Sequence, residues 1–459
     1  MKGLARTSLA ISVAAWALPA QDAIGERVRA AIGRVDARRI EADVRTLVGF
    51  GTRHVLSRTD SATEGTGAAR RWLQAQFAAI AAETDGRLVV TLQDEVVPCR
   101  RPGMPAEVPI VNVIATLRGV ADPDRVYVVS GHYDSRNSRG DDGEGAAPGA
   151  VDDASGTAAV LEACRVLASE RLAATIVFVA YDGEEQGLLG SQAHAAALAA
   201  MPVTVDGMLT CDIVGNTLGM DGARYHRWVR CFSYAPTGND SAGRSLARAV
   251  TRAAATHVHD FDVRLVLRGD RYGRGGDHRS FFEHGVPAVR LTEPREDFSR
   301  QHQDVTERDG RPYGDLPDYA DFAYTANVTR VVTATLCELA DAPRPPLAVS
   351  AALRRDRYDT ELVFVPSPGA RAHEFVWRET TAADWTHVVG EAAATLEPLD
   401  GARVRATLSG VCLDDVVVGV RAIGRDGSRS RVATPPEPDR FSLQRRARLR
   451  AGDEPDAPK

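Results

Sequence analysis

VYVVSGHYD (residues 126–134) is an apolar, largely β-branched run that ends in polar residues. TIVFVAYDGEE (175–185) and MLTCDIVGN (208–216) repeat this arrangement, and a glycine- and aspartate-rich loop ends in VDDASG (151–156). Such runs are typical of buried parallel strands, whose carboxyl ends meet at one edge of a sheet. We therefore predict an α/β fold with a mixed, mostly parallel central sheet flanked by helices, and we expect these polar residues to converge.

Acidic and histidine residues follow these runs and recur in one later segment, RQHQDV (300–305). Imidazole and carboxylate ligands suit zinc, and carboxylates can bridge two cations. The sequence therefore predicts a two-metal hydrolytic site. Its expected ligands are His132, Asp152, Glu185, Asp212 and His302. Glu184 is left over, and neighbouring side chains diverge at a strand end, so we predict that Glu184 is the general base.

Each of these motifs also has an ordinary structural interpretation when it is taken alone. A single histidine at a strand end is often structural, Asp153 or Ser155 can cap a helix, and a pair of glutamates can belong to a solvated loop. Their occurrence together and in this order favours the metal site.

The motifs H-x-D, D-D-A-S-G, E-E-x-G-x-x-G-S, D-I-V-G and a late histidine span about residues 40–340. In this order they resemble the co-catalytic zinc aminopeptidases of metallopeptidase family twenty-eight, of the aminopeptidase Y and bacterial leucyl aminopeptidase type. The resemblance implies the zinc-exopeptidase fold and two zinc ions bridged by Asp152. His132 and Asp212 would complete one ion, and Glu185 and His302 the other. It also implies a metal-bridging hydroxide as nucleophile, Glu184 as general base and acid, and N-terminal residues of peptides or proteins as substrate.

The same resemblance implies a cis peptide between Asp152 and Asp153. It also implies a supporting carboxylate at Asp134, which would accept from the second ring nitrogen of His132. The pair Asp277 and His278 matches a further family motif, for which structural and catalytic roles both remain open.

The late segment departs from the family pattern, which is His-Thr followed by a spaced Asp-Thr, because this chain reads Gln301, His302, Gln303 and Asp304. Gln301 also stands where a tyrosine often precedes the late histidine. We expect Tyr272 or the loop around Arg274 to supply that hydrogen bond to the tetrahedral intermediate.

Two other functions compete with the aminopeptidase. A zinc carboxypeptidase on the same fold would need a cation for the substrate carboxylate, and Arg136 or Arg274 is a candidate. An inactive relative would serve as a binding scaffold, which the complete ligand set argues against. The full set also argues against a glutaminyl cyclase, for which we expect a single-metal set.

Composition limits the remaining possibilities. The 459 residues are 44% hydrophobic, enough for two domains. The net charge is −6 and the arginines are scattered, so we expect no nucleic-acid partner. No stretch after the N-terminal segment reaches 18 apolar residues, so we expect no membrane span. The six cysteines lack zinc-ribbon spacing, and we expect none to be catalytic. The oligomeric state stays open.

We divide the chain into four parts. Residues 1–20 carry a basic start, an apolar run and small residues, which predicts a signal peptide and export to the periplasm or medium. Residues 22–342 form the predicted peptidase domain, which is followed by the proline-rich DAPRPPLAVS (341–350). Residues 347–435 alternate in short strands and predict a small fibronectin type III-like β-sandwich. Residues 436–459 predict a disordered tail.

Overall fold

The computed structural model describes residues 18–236, 240–354 and 356–436. An eight-stranded sheet forms the centre of the larger part. Its strands are β1 (Leu88–Pro98), β2 (Glu107–Leu117), β3 (Asp122–His132), β4 (Ala174–Tyr181), β5 (Thr204–Cys211), β6 (Trp228–Ser233), β7 (Asp262–Val266) and β8 (Ala288–Thr292). Their spatial order is β1-β2-β4-β3-β5-β8-β6-β7.

The four middle strands, β4, β3, β5 and β8, are parallel to one another. In the register of this block, Ser130 of β3 lies between Val179 of β4 and Thr210 of β5. β1, β2 and β6 join in antiparallel pairs. All of β4 is buried, which accounts for its unbroken apolar sequence. The prediction of a mixed, mostly parallel sheet is confirmed.

Helices cover both faces of the sheet. They are α1 (Leu18–Ile32), α2 (Ala37–Gly49), α3 (Gly65–Ala81), α4 (Ser155–Leu167), α5 (Leu189–Ala199), α6 (Ala242–His257), α7 (His278–Glu283) and α8 (Phe322–Asp341). The larger core contains residues of α1 to α4, α6 and α8, packed with residues of the strands. A smaller core contains residues of α5 and α7, packed with different residues of the strands. Two such cores on one sheet make a three-layer architecture.

A short hairpin leaves the sheet before α8. Its strands are β9 (Thr306–Arg308) and β10 (Arg311–Tyr313). The hairpin lies between the loop that carries His302 and the turn Pro317–Tyr319.

Two antiparallel sheets form the C-terminal region. Their strands are β11 (Leu347–Arg354), β12 (Asp359–Val365), β13 (Ala372–Glu379), β14 (His387–Gly390), β15 (Thr395–Pro398), β16 (Val404–Leu408) and β17 (Val416–Ile423), with a turn at Glu391–Ala393. The orders are β11-β12-β16-β15 and β14-β13-β17. Phe364 of the first sheet packs with Phe375 and Val420 of the second, as in a sandwich.

The sandwich and its linker attach near the amino-terminal ends of β3 and β5. Arg125 of β3 donates to the carbonyl oxygens of Ala340 and Ala342, at 2.7 and 2.6 Å. Arg431 lies 3.2 Å from the Asp206 carboxylate of β5. The predicted ligands lie at the opposite, carboxyl-terminal edge of the sheet, away from these contacts.

All six cysteines lie in the described part and none is in a disulfide. None of the described helices is both long and apolar enough to cross a bilayer. The predicted tail, except for residue 436, and all but the last three residues of the predicted signal peptide lie outside the described residues.

Candidate metal centre

The predicted ligands converge at the carboxyl edge of the parallel strands. His132 is the last residue of β3, and Asp212 directly follows β5. Glu185 lies in the loop after β4, and His302 lies in the loop after β8. Asp152 lies in an irregular turn, Ala150–Ala154, just before α4. Neighbouring parallel strands thus deliver separate segments of the chain to one point.

Asp152 stands between two groups of side chains. Its Oδ1 lies 3.2 Å from Nε2 of His132, whereas its Oδ2 lies 2.9 Å from Nε2 of His302. Asp212 Oδ1 lies 3.8 Å from the same His132 nitrogen, and Glu185 Oε1 lies 2.8 Å from the His302 nitrogen. We name His132, Asp152 and Asp212 the strand triad, and Asp152, Glu185 and His302 the loop triad. Within each triad, one donor atom per residue lies within 4.8 Å of the others.

The donor set of each triad fits a zinc ion. Glu185 Oε1 is buried and has no hydrogen-bond partner among the described residues, although His302 Nε2 is close to it. These two donor atoms therefore lie close enough to reach a common position. One imidazole and two carboxylates per ion are ligands that zinc accepts, and a fourth position would stay open for water or substrate.

The charges of the ligands are strongly coupled. Burial would raise the pKa of the Asp152 carboxyl, but the imidazoles of His302 and His132 hold it well below its usual range. Burial would likewise lower the pKa of His302, yet Glu185 and Asp152 raise it to about 9. The raised pKa favours the protonated imidazole of His302 in the metal-free protein, and that proton must leave when a cation binds.

Glu184 belongs to neither triad but lies beside them. Its Oε2 is 4.0 Å from Nε2 of His132, and its side chain is 12% exposed. Burial is the largest cause that raises the pKa of Glu184 well above its usual range, with Asp212 adding to it. A partly open carboxyl group with a raised pKa has the properties of a general base.

Asp134 supports the site in a different way from the one expected. Its carboxylate accepts hydrogen bonds from the backbone N–H groups of Glu184 and Glu185, both at 3.1 Å. Nδ1 of His132 lies closer to the backbone oxygen of Asp134, at 3.2 Å, than to the carboxylate, at 3.5 Å. The carboxylate thus provides the acceptor that two backbone amides need, while the imidazole lies near both the carbonyl and the carboxylate of Asp134.

Asp153 fixes the backbone around the same turn. The peptide bond between Asp152 and Asp153 is cis. The Asp153 carboxylate accepts from the backbone N–H groups of His132, Gly156 and Ile213 at 2.9–3.2 Å, and so ties three ligand-bearing segments together. A Cβ at Gly156 would lie 2.0 Å from the carbonyl oxygen of Cys211, so the D-D-A-S-G motif needs glycine there.

Two arginines contact the ligands directly. Arg290 Nη2 lies 2.9 Å from Asp212, and Arg136 Nε lies 2.8 Å from Glu185. Arg136 also places Nη2 2.6 Å from Nδ1 of His302. The sequence suggested Arg136 only as a possible substrate anchor and suggested no role for Arg290. A charged residue inside the apolar strand β8 was the available signal for Arg290.

The remaining candidates line the surroundings. His278 Nε2 lies 2.8 Å from the carbonyl oxygen of Gly269, and the buried Asp277 lies next to it, outside both triads. Arg274 contacts Glu296 and donates to Gln301 at 2.9 Å. Tyr272 is 89% exposed and packs near Arg268. None of these contacts assigns any of the three residues, Asp277, His278 or Tyr272, to a metal.

Comparison with known proteins agrees with this geometry. Residues 112–321 match the model of peptidase family M28. The chain is 40% identical over 428 residues to a probable zinc metalloprotease of Leptosphaeria maculans, covering 89% of this chain and 97% of that protein.

Solved structures share the fold. Legionella pneumophila LapA aminopeptidase has a TM-score of 0.52 at 20% identity, covering 69% of this chain and 75% of that one. A glutaminyl cyclase of Macrostomum lignano has a TM-score of 0.50 at 17% identity, covering 72% and 94%. The match to the family model, the similarity to the fungal relative and the convergent ligand set together place this chain in peptidase family M28.

Proposed function

We propose that the protein is a two-zinc aminopeptidase that removes N-terminal residues from peptides or proteins. One observation carries the proposal: the two carboxylate oxygens of Asp152 face two different histidines, at 3.2 and 2.9 Å. A carboxylate that served one ion would not need a separate imidazole on each oxygen. The strand triad would hold one zinc ion and the loop triad the other.

The proposed mechanism follows from the residue types. Zinc bound in these triads would lower the pKa of a water ligand toward about 7 and polarise the scissile carbonyl. Glu184 accepts the proton of the attacking water and passes it to the leaving amine. Asp134 keeps Glu184 in place by holding its backbone N–H. The backbone contacts of Asp153 hold the segments that carry His132 and Asp152.

Specificity for a free N-terminus is supported by the resemblance to the aminopeptidases. Four carboxylates, those of Asp152, Glu184, Glu185 and Asp212, lie at the site, and within the described part of the chain the carboxylates of the two triads contact two guanidinium groups. Two bound zinc ions would offset the charge of these four carboxylates, so the proposed specificity rests on the resemblance and not on the charge of the site.

The carboxypeptidase alternative is less well supported. It needs an arginine with free donors for the substrate carboxylate. Arg136 instead contacts Glu185, His302 and the carbonyl oxygen of Asn137, and Arg274 contacts Glu296 and Gln301.

Two matched peptides test the proposal, one with a free and one with an acetylated N-terminus. The purified protein is assayed as isolated, after chelation and after zinc is restored. We expect cleavage of the free peptide alone, from its N-terminus, which is lost with chelator and recovered with zinc. Zinc-dependent cleavage of both peptides from the carboxyl end would replace the aminopeptidase by a carboxypeptidase, and absence of any zinc-dependent cleavage would reject the peptidase.

We also propose that the protein is exported, because residues 1–20 have the composition of a signal peptide. N-terminal sequencing of the protein recovered from the periplasm or medium tests this. A mature chain that starts near residue 21 is expected, and retention of residues 1–20 in the cytoplasm would contradict export.

A further inference from the structure

Asp315 directly contacts the backbone of Asp152, although no sequence motif singles it out. Asp315 is 3% exposed. Its Oδ2 accepts from the backbone N–H of Asp152 at 2.7 Å, and both of its carboxylate oxygens lie within 3.0 Å of the N–H of Val151. Its carbonyl oxygen also accepts from the N–H of Ala150 at 3.1 Å. One residue therefore satisfies three consecutive amides of the turn that carries Asp152.

The β9–β10 hairpin places Asp315 there. The N–H of Gly314 donates to the carbonyl oxygen of Ser299 at 3.0 Å, which closes the base of the loop that contains His302. Gly314 has a φ of +110°, and a Cβ on it would lie 3.0 Å from Cα of Val305, so glycine is needed at this position. The segment from Ser299 to Asp315 thus places His302 beside the Asp152 carboxylate and Asp315 against the Asp152 backbone.

A second buried side chain holds the preceding residues. Arg53 is fully buried, and its guanidinium donates to the carbonyl oxygens of Pro148 and Gly149, at 2.6 and 2.8 Å. It also donates to the carbonyl oxygen of Tyr133, the residue after His132. Arg53 holds the carbonyls and Asp315 holds the amides, so residues 148–152 are fixed from both sides.

We propose that Asp315 is a positioning residue that orients the two oxygens of Asp152 toward the two triads. This inference rests on the proposed two-zinc function. Amides buried without an acceptor are unfavourable, so without the Asp315 carboxylate the turn would shift to find other partners. A shifted turn would misplace Asp152 in both triads at once. Loss of a residue that orients a ligand lowers metal affinity by about 10–100-fold.

The test compares Asp315→Ala and Asp315→Asn with wild type and with two controls. The asparagine keeps one acceptor oxygen and should retain part of the function. Asp318→Asn changes a nearby carboxylate whose side chain is 80% exposed. Ser241→Ala removes the N-cap of α6, where Ser241 Oγ accepts from the N–H of Arg244 at 3.0 Å, and so measures a loss of stability remote from the triads.

Each variant is measured for zinc affinity by chelator competition, for the visible spectrum of its cobalt-substituted form, for melting temperature, and for kcat and KM at saturating zinc. We expect Asp315→Ala to bind zinc about 10–100-fold more weakly, to change the cobalt spectrum and to lower kcat with little change in KM. Asp315→Asn should fall between it and wild type. Both controls should keep wild-type affinity and spectrum.

The inference is overturned if Asp315→Ala loses stability as Ser241→Ala does but keeps wild-type zinc affinity and cobalt spectrum. If Asp315→Ala does not fold, Asp315→Asn decides by the same criteria. Failure of the proposed function is a separate result, because wild type would then show no zinc-restored peptide cleavage, while the zinc affinities would still compare the variants.

Discussion

The strand triad and the loop triad share Asp152 but are built differently. His132 and Asp212 lie at the ends of adjacent parallel strands and their side chains are 1% and 3% exposed. Glu185 and His302 lie on loops, and the His302 side chain is 25% exposed. The sheet holds His132 and Asp212, whereas Glu185 and His302 depend on contacts with Arg136 and on the segment that contains the β9–β10 hairpin. The strand triad is therefore held mainly by the sheet, and the loop triad is held mainly by side-chain contacts.

The largest effect should come from breaking both triads at once. Asp152→Asn keeps the shape of the side chain but removes the charge that offsets two cations. We expect the variant to lose both zinc ions and its activity to fall below detection. Elemental analysis after dialysis measures the metal, with Asp318→Asn as the control. Retention of two zinc ions would show that Asp152 is not the shared ligand.

The next largest effect should leave both triads intact. Glu184→Gln removes only the proposed base, so kcat should fall by about 10²–10⁴-fold while zinc content and KM stay near those of wild type. Steady-state kinetics on the free-amine peptide, together with elemental analysis, checks this. Near-normal kcat would mean that another group takes the proton.

The two triads can be separated by a matched pair of variants. His302→Ala should lose the loop-triad zinc and keep the strand-triad zinc, and His132→Ala should do the reverse. We expect the zinc that remains in His302→Ala to be bound more tightly, since β3 and β5 hold that triad. Titration of the metal-free variants with zinc gives the stoichiometry and affinity. Equal zinc affinities of His302→Ala and His132→Ala would contradict the proposed difference between the two triads.

The smallest effect concerns pH and centres on the loop triad. The pKa of His302 in the metal-free site is raised to about 9 by Glu185 and Asp152, against burial. Zinc can bind only the neutral imidazole, so its affinity should rise as pH increases toward 9, by up to about tenfold per unit for each proton released. Calorimetry in buffers of different ionisation enthalpy counts the protons, and His302→Ala should release fewer.

The free energy of unfolding of the metal-free protein should fall as pH rises, in contrast to the zinc affinity. A pKa raised above its unfolded value stabilises the fold fully at pH below that unfolded value, about 6.5, and this stabilisation is lost as pH rises through about 9. Urea unfolding of the metal-free protein at both pH values measures it. His302→Ala should show a smaller pH dependence, and an equal dependence would contradict the shift.

Sequence could predict the parts of the site that depend on strands. Buried apolar runs of four to eight residues that end in His132, Glu184 or Asp212 indicate both the sheet and its active edge. His302 was predicted from the pattern of acidic and histidine residues without a strand before it, and the structure gives it a left-handed backbone, with a φ of 57°, in an irregular loop. Loop geometry of this kind has no periodic signal.

Asp134 was predicted as a supporting residue, but the roles of Asp315 and Arg136 could not be predicted because these residues act across the fold. Asp315 meets the N–H of Asp152 from 163 positions away in the sequence. Arg136 reaches Glu185 and His302 only once three loops have come together. The carboxylate of Asp134 accepts from two amides and also lies 3.5 Å from the His132 imidazole, an arrangement set by which groups the fold leaves without partners. Such contacts follow from packing and not from local sequence.

The most direct test of the shared carboxylate is diffraction from crystals grown with zinc, recorded at wavelengths on both sides of the zinc absorption edge. The account predicts two anomalous peaks, each next to a different oxygen of Asp152, one between His132 and Asp212 and the other between Glu185 and His302. A single peak, or a pair of peaks in which Asp152 contacts only one ion, would contradict it.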